Sequence, residues 1–321
     1  MNTPNTHEAD QGLATDAAGA LTIAAVERET GLSKDTLRMW ERRYGFPRPL
    51  RDARDERLYP AEQVQRLRLI AWLLRAGQRP GRIVTQPLQR LQELAQSGSA
   101  VAAAATAPDA ADEALRDYLD ALRRHDATRL RLGLNQAVLR LGLARFVTEV
   151  VAPLNRWVGE AWLRGEIQVF TEHLYTECVV AVLRAALGGS TLPRAHMPRV
   201  LLTTLPDEPH VLGLLMAEVM LALEGCTCIS LGAQTPLPDI VQASAAHRID
   251  IVGLSFSPAL PAAAVLGGLK ALRAQLPAAV PIWAGGSHPA LARRLPTGVT
   301  RVARLQDIAA LLVPWRERAR A

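Results

Sequence analysis

Glu208, His210 and Gly213 fall within six residues, at the junction of a short apolar run (Val200–Thr204) and a helical stretch (Val211–Leu223). Ligands of open α/β sheets bind at the carboxyl ends of strands. An imidazole there can coordinate a metal from below, with an adjacent carboxylate or backbone group fixing its tautomer. Gly213 would let a bulky group approach the start of the helix. A loop histidine is most often only solvated; spacing and placement single this one out. Two further runs end on small residues. Ser255 and Ser257 close Ile251-Val-Gly-Leu-Ser-Phe-Ser, and Gly285 and Gly286 follow Trp283-Ala. Such rims would leave a slot between a sheet and its helices.

A second set lies upstream. Val169, Glu172, His173 and Thr176 recur at i, i+3, i+4 and i+7 and so share one helical face. Trp162, separated from Glu172 by nine residues, can fold back over that face. A flat aromatic beside a carboxylate and an imidazole could enclose a nucleoside, with ribose hydroxyls bonded to the glutamate. Taken alone, the same residues read as a core tryptophan with a solvated Glu-His pair.

A third set is basic. Between Leu21 and Pro80 thirteen Lys/Arg stand against eight Asp/Glu, so this segment carries five of the chain's six net positive charges. Such a local patch points to a polyanion partner. A helix at about Ile23–Thr30 ends at Gly31, and Ser33 can cap a second one. Two short helices joined by a glycine turn form a helix-turn-helix. Leu32 and Leu37 would pack on Ile23 and Val26, leaving Lys34, Thr36, Arg38, Arg42 and Arg43 outward for a DNA major groove. After Tyr44, the residues Arg48, Arg51, Arg54 and Arg57 recur every third position in a Pro-rich, hairpin-like loop. A basic wing of this kind grips the phosphate backbone. Pro60 would open the next helix in its first turn. The plainer alternative is a charged helix pair that binds nothing.

The elements that must position these residues fall into five spans. Residues 1–20 form a polar leader, 21–96 the DNA-binding domain, 97–111 an Ala-rich linker, 112–190 a helical bundle and 196–321 an α/β domain. In the bundle, Leu115, Tyr118, Leu119 and Leu122 make an amphipathic stripe. Further helices are expected at about Thr128–Leu141, Leu143–Arg164 and Glu166–Leu187, with Gly165 at the last break. In the α/β domain, runs at Val200–Thr204, Cys226–Leu231, Ile249–Leu254 and Pro281–Ala284 alternate with helical stretches. A last apolar stretch covers Leu305–Leu312. The alternation predicts a doubly wound parallel sheet.

At 321 residues, with 49% hydrophobic side chains, several cores are possible. Three cysteines, Cys178, Cys226 and Cys228, are too few and too odd for a disulfide framework; they point to burial in a reducing, cytoplasmic setting. No membrane span, secretory signal, P-loop, dinucleotide fingerprint or catalytic triad is found, so neither a membrane protein nor an enzyme is expected.

The run T-L-R-M-W-E-R-R-Y-G followed by R-L-Y-P closely resembles the MerR-family DNA-binding head over about sixty residues. E-x-H-x-x-G, then S-x-S, then G-G resembles the cobalamin-binding domain shared by methionine synthase and related proteins, whose pattern is D-x-H-x-x-G, S-x-L, G-G. Glu208 and Ser257 depart from it. In that family the histidine is the lower cobalt ligand, which the resemblance assigns to His210. W-x9-E-H is similar to the signature of the CarH/LitR photoreceptors, which combine these modules in this order. That resemblance implies a DNA-binding repressor holding adenosylcobalamin and its cobalt, a double-stranded operator and a dimer or tetramer that light dissociates. Trp162, Val169, Glu172 and His173 take the places that contact the upper adenosyl group. Leu163 stands where well-understood members carry a histidine that ligates cobalt after photolysis. A sensor of cobalamin, redox or temperature without light, and a corrinoid methyl carrier, are the alternatives.

Overall fold

The computed structural model describes residues 20–52, 54–75, 78–99, 110–163, 166–189, 198–258, 260–293 and 295–320. Residues 1–19 of the expected leader, 100–109 of the expected linker and Gly165 lie outside them. The chain divides into two units, 1–104 and 105–321. Among the described residues no helix is long and apolar enough to cross a membrane.

The first unit builds its helix-turn-helix from matched caps. After β1 (Leu21–Thr22), α1 (Ile23–Thr30) is capped by Thr22, whose hydroxyl accepts from Ala25 N at 3.3 Å. Gly31 ends it at φ 72, a left-handed conformation that suits glycine. Ser33 Oγ accepts from Thr36 N at 3.2 Å and starts α2 (Lys34–Tyr44). Asp35 in the first turn and Arg42 and Arg43 in the last all suit the helix dipole. Val26, Leu32, Leu37 and Trp40 are buried beneath. The expected basic hairpin is real: β2 (Leu50–Arg51) pairs with β3 (Arg57–Tyr59), which also pairs with β1, all antiparallel. Asp52 Oδ1 closes its turn by accepting from Arg54 N and Glu56 N at 2.9 and 2.7 Å. Pro60 sits one position outside α3 (Ala61–Arg75) rather than in its first turn, its carbonyl accepting from Val64 N at 3.0 Å. The short α4 (Pro80–Ile83) and α5 (Leu88–Ser99) follow, and a half-sequestered Arg68–Glu29 ion pair ties α3 to α1.

The second unit opens with the bundle. Helices α6 (Ala110–Arg123) and α7 (Ala127–Leu141) are joined by a turn in which Asp126 caps α7 through Arg129 N at 2.8 Å. The stripe Leu115, Tyr118, Leu119 and Leu122 is buried against Leu130 and Leu134. The helix expected at about Leu143–Arg164 runs unbroken from Leu143 to Leu163, as α8 (Leu143–Arg145), a π-turn over Phe146–Val151 and α9 (Ala152–Leu163). Pro153 supplies the reason: it has no N–H for the carbonyl four residues back, and widening the turn avoids the resulting clash. α10 (Val169–Gly189) completes the bundle.

Beyond it, β4 (Arg199–Thr203), β5 (Thr227–Gly232), β6 (Ile251–Phe256), β7 (Ile282–Gly286) and β8 (Val299–Val302) form one parallel sheet in the order β5-β4-β6-β7-β8. The intervening helices are α11 (Leu212–Leu223), α12 (Leu237–Ala246) and α13 (Ala262–Gln275); α14 (Asp307–Leu311) and α15 (Val313–Arg320) follow β8. One sheet face, with Leu201, Val252 and Ile282, packs on α12 and α13. The other, with Val200, Leu202 and Ile251, packs on α11 and α14. The strand alternation expected of a doubly wound fold is therefore present. α11 serves two cores: Leu214 and Leu221 meet the sheet, whereas Leu212, Leu215, Met216 and Val219 belong to the bundle core.

Candidate functional site

Strand order places the site before any side chain is considered. From β4 the chain steps to β5 on one side and then crosses back to β6 on the other side of β4. The crevice between the carboxyl ends of β4 and β6 is the topological switch point, where such sheets bind ligands. His210 lies in the loop after β4, and Ser255 and Ser257 lie at the end of β6.

The residues at this crevice interlock. Glu208 is 0% exposed. Its Oε1 lies 2.5 Å from His210 Nδ1 and accepts from His210 N at 3.2 Å. Ser257 donates to it from its backbone N–H at 2.8 Å and from its hydroxyl at 2.9 and 3.0 Å. Burial alone pushes the Glu208 carboxyl up; the bonds from His210 and Ser257 outweigh it and hold it below the usual carboxylate range. A carboxylate on Nδ1 selects the tautomer with its proton there. Nε2 is then the ring nitrogen with a free lone pair, and the His210 side chain is 53% exposed. This is the arrangement of a single metal-ligating imidazole held by a carboxylate behind it.

Three consecutive residues, Ser255 and Phe256 at β6's end and Ser257 just after it, brace the β4–α11 connection and the end of β7. Ser255 meets the start of α11 so closely that a Cβ on Gly213 would stand 2.2 Å from its hydroxyl. Phe256 meets β7's end, where Gly286 has φ +112 and a Cβ would stand 2.1 Å from the Phe256 carbonyl oxygen. Ser257 holds Glu208. Gly285 is less constrained, with Val302 at 3.6 Å. Thr204 was not singled out from the sequence. Its hydroxyl donates to Glu208 O at 2.5 Å and accepts from Gln234 N at 2.7 Å, tying the His210 loop to the loop after β5. A hydroxyl residue ending an apolar strand was the only signal.

The second set clusters on α10. Glu172 Oε1 accepts from Thr176 Oγ1 at 2.9 Å, and Glu172 Oε2 lies 3.7 Å from His173 Nε2. His173 projects into solvent, and Trp162 is half-buried against the bundle core. Tyr175 is buried beneath, donating to Asn155 Oδ1 at 2.7 Å. The side chains of Leu163 and Val169 lie outside the described residues.

In the first unit, Arg38, Arg42 and Arg43 are exposed along α2, and Arg54 is exposed at the wing's turn. Arg43 also lies over the Tyr44 ring, 5.4 Å from its centroid. Lys34 and Thr36 are half-buried: Lys34 pairs with Glu27 at 3.7 Å, and Thr36 shares the cap with Ser33 at 2.8 Å. Arg48 Nε donates to Gly45 O, and Arg51 donates to Asp55 O. Arg57 differs from the expected outward wing residue. Its Nε donates to Glu41 Oε2 at 3.0 Å, so it fastens the wing to α2.

Cys226 and Cys228 are shielded, and burial pushes the Cys226 thiol up to about 12 and the Cys228 thiol higher still. Neither is poised as a thiolate ligand.

Residues 21–85 match the MerR HTH family regulatory protein family. Residues 198–306 and 114–186 match two B12 binding domain families. Among curated proteins, the HTH-type transcriptional repressor CarH of Myxococcus xanthus is 33% identical over 273 residues, 83% of this chain and 89% of that protein. The HTH-type transcriptional repressor CarA of the same organism is 31% identical over 241 residues, 74% of this chain and 76% of that protein. Among solved structures, the Methanosarcina barkeri monomethylamine corrinoid protein aligns with TM-score 0.51 at 15% identity. It covers 64% of this chain and 100% of that one, a likeness of fold alone.

Proposed function

The chain belongs to the family of the CarH and CarA transcriptional repressors, cobalamin-binding regulators with a MerR-type head, and on that premise we propose that it is a light-responsive repressor whose operator grip depends on adenosylcobalamin. The observation that carries this is His210: Nδ1 is held on a fully buried carboxylate, and the side chain is half-exposed in the loop at the switch point of a parallel sheet. One protein nitrogen is what a corrin-held cobalt needs from below, so the residues fit the cofactor. Gly213, Ser255, Gly285 and Gly286 keep the rims beside it small. Trp162, Val169, Glu172 and His173 would cap the upper face, Glu172 through ribose hydroxyls.

Adenosylcobalamin, when bound, would supply a cobalt–carbon bond that green light breaks. The protein's part is to bind it between bundle and sheet and to favour a dimer or tetramer while it is there. An assembly presents several heads at once, and linked heads bind adjacent sites far more tightly than single ones. Dissociation then releases the operator without altering any base contact. Free cysteines, Cys178 and Cys226 of them buried, support a cytoplasmic setting.

The test is an absorbance spectrum and an operator titration of the adenosylcobalamin-loaded chain, dark and then after green light. We expect a changed spectrum, a smaller assembly and at least tenfold weaker operator binding. An unchanged spectrum with unchanged affinity would sink the light response. Leu163 favours a second reading, a reporter of cofactor abundance, because leucine cannot ligate cobalt. Equal dark binding with adenosyl-, methyl- and hydroxocobalamin would support it.

For the head, Arg38, Arg42, Arg43 and Arg54 are the proposed principal contacts, with Lys34, Thr36, Tyr44, Arg48 and Arg51 beside them. Arg54→Ala should weaken binding to all sequences about equally. It should also lower the slope of log affinity against log salt by about one. Loss of preference for one base pair with an unchanged slope would show that Arg54 reads bases instead.

A further inference from the structure

The loop carrying His210 and the end of β6 are 49 residues apart in sequence, yet one serine occupies both oxygens of the glutamate behind the histidine. Ser257 Oγ also lies 3.0 Å from His210 Nδ1, so hydroxyl, carboxylate and imidazole form a closed triangle. We propose that Glu208 and Ser257 are a matched positioning pair: the carboxylate's length and the hydroxyl at 257 depend on one another, and together they set the orientation of the His210 ring. This rests on the cobalamin reading of the site.

Leverage comes from burial. A buried carboxylate that loses a donor keeps its desolvation cost and gets nothing in return. Leucine at 257 would leave the backbone N–H in place but remove the hydroxyl and set a branched apolar group against the carboxylate. Aspartate at 208 would draw the oxygens back by about one carbon–carbon bond, roughly 1.5 Å. They would then lose reach to Ser257 or drag the loop, and His210 with it, toward β6. With both changes the shorter carboxylate withdraws from the position the leucine fills. Each single change therefore breaks the triangle, and the second change relieves part of the damage done by the first.

The test is a double-mutant cycle on the full chain with methylcobalamin as probe. Glu208→Asp and Ser257→Leu are each expected to weaken uptake about 10–100-fold, the range typical of partners behind a metal ligand. Each should also shift the absorbance spectrum toward that of the cofactor without a lower imidazole. The double variant should bind more tightly than Ser257→Leu alone and recover part of the native spectrum. Ser257→Thr, which keeps the hydroxyl, should retain both.

Losses that multiply in the double variant, or a Ser257→Leu chain with native spectrum and affinity, would overturn the pairing. Failure of the cobalamin reading looks different: the native chain takes up no methylcobalamin, or takes it up with no imidazole signature. The pairing is then still decided on the ligand-free chain, because Glu208 is buried there too. Ser257→Leu should lower its melting temperature and added Glu208→Asp should restore part of the loss; additive losses would overturn it.

Discussion

A His210→Ala chain is expected to bind methylcobalamin or adenosylcobalamin about 100-fold more weakly, or worse, and to show the spectrum of a cofactor lacking a lower imidazole. The size follows from position. Loss of a partner behind a ligand costs roughly 10–100-fold, and His210 would be the ligand itself. The substitution also removes the imidazole donor from Glu208, which is fully buried and would keep Ser257 and the backbone N–H of residue 210. His210→Asn separates the two effects. Its amide can still donate toward Glu208, so the fold should persist by circular dichroism, but uptake and spectrum should fail as in alanine. A titration in which either variant keeps native affinity and spectrum would remove His210 from the lower face.

Gly286→Ala should be the most damaging small substitution in the α/β domain. Its φ of +112 is a conformation that L side chains rarely adopt, and the added Cβ would meet the Phe256 carbonyl oxygen at 2.1 Å. Backbone strain of this kind costs of order 1–3 kcal/mol, and β6 cannot step aside because its residues are buried. A loss of about 3 kcal/mol in a unit of this size lowers the melting temperature by roughly 6–12 °C. Calorimetry should show that drop in the transition of the second unit, while the first unit, with its own core, melts as before. A transition within a degree of native would show that β7 relaxes around the methyl group.

Much of this was legible in the sequence, for identifiable reasons. The stripe Leu115, Tyr118, Leu119, Leu122 has helical period, and all four are buried. Gly31 and Ser33 mark helix ends because their chemistry acts locally. Glu208 and His210 were visible because both lie in one loop. What escaped depends on distant partners or on a local compromise. Arg57 looked like its neighbours at three-residue spacing, but Glu41 lies within reach only once the wing folds onto α2. Ser257 looked like a rim hydroxyl, and its hold on Glu208 exists only across the sheet. β8 leaves little trace in the sequence because Val-Thr-Arg-Val is short and half-exposed at an edge. Pro153 sits inside an apolar run that continues as helix on both sides, so the π-turn before it has no periodic signature.

The two-faced helix α11 has a consequence for how such proteins can be assembled from parts. A different DNA-binding head could be grafted ahead of residue 105 without opening the bundle core or the sheet. A cut between bundle and sheet is another matter. It would strand Leu212, Leu215, Met216 and Val219 in water on one fragment and leave an open seam on the other. At roughly 1.5–3 kcal/mol for each such side chain, that exposure rivals the whole stability margin of an ordinary domain. Gene rearrangement can therefore trade the reader freely, but the receiver is inherited whole.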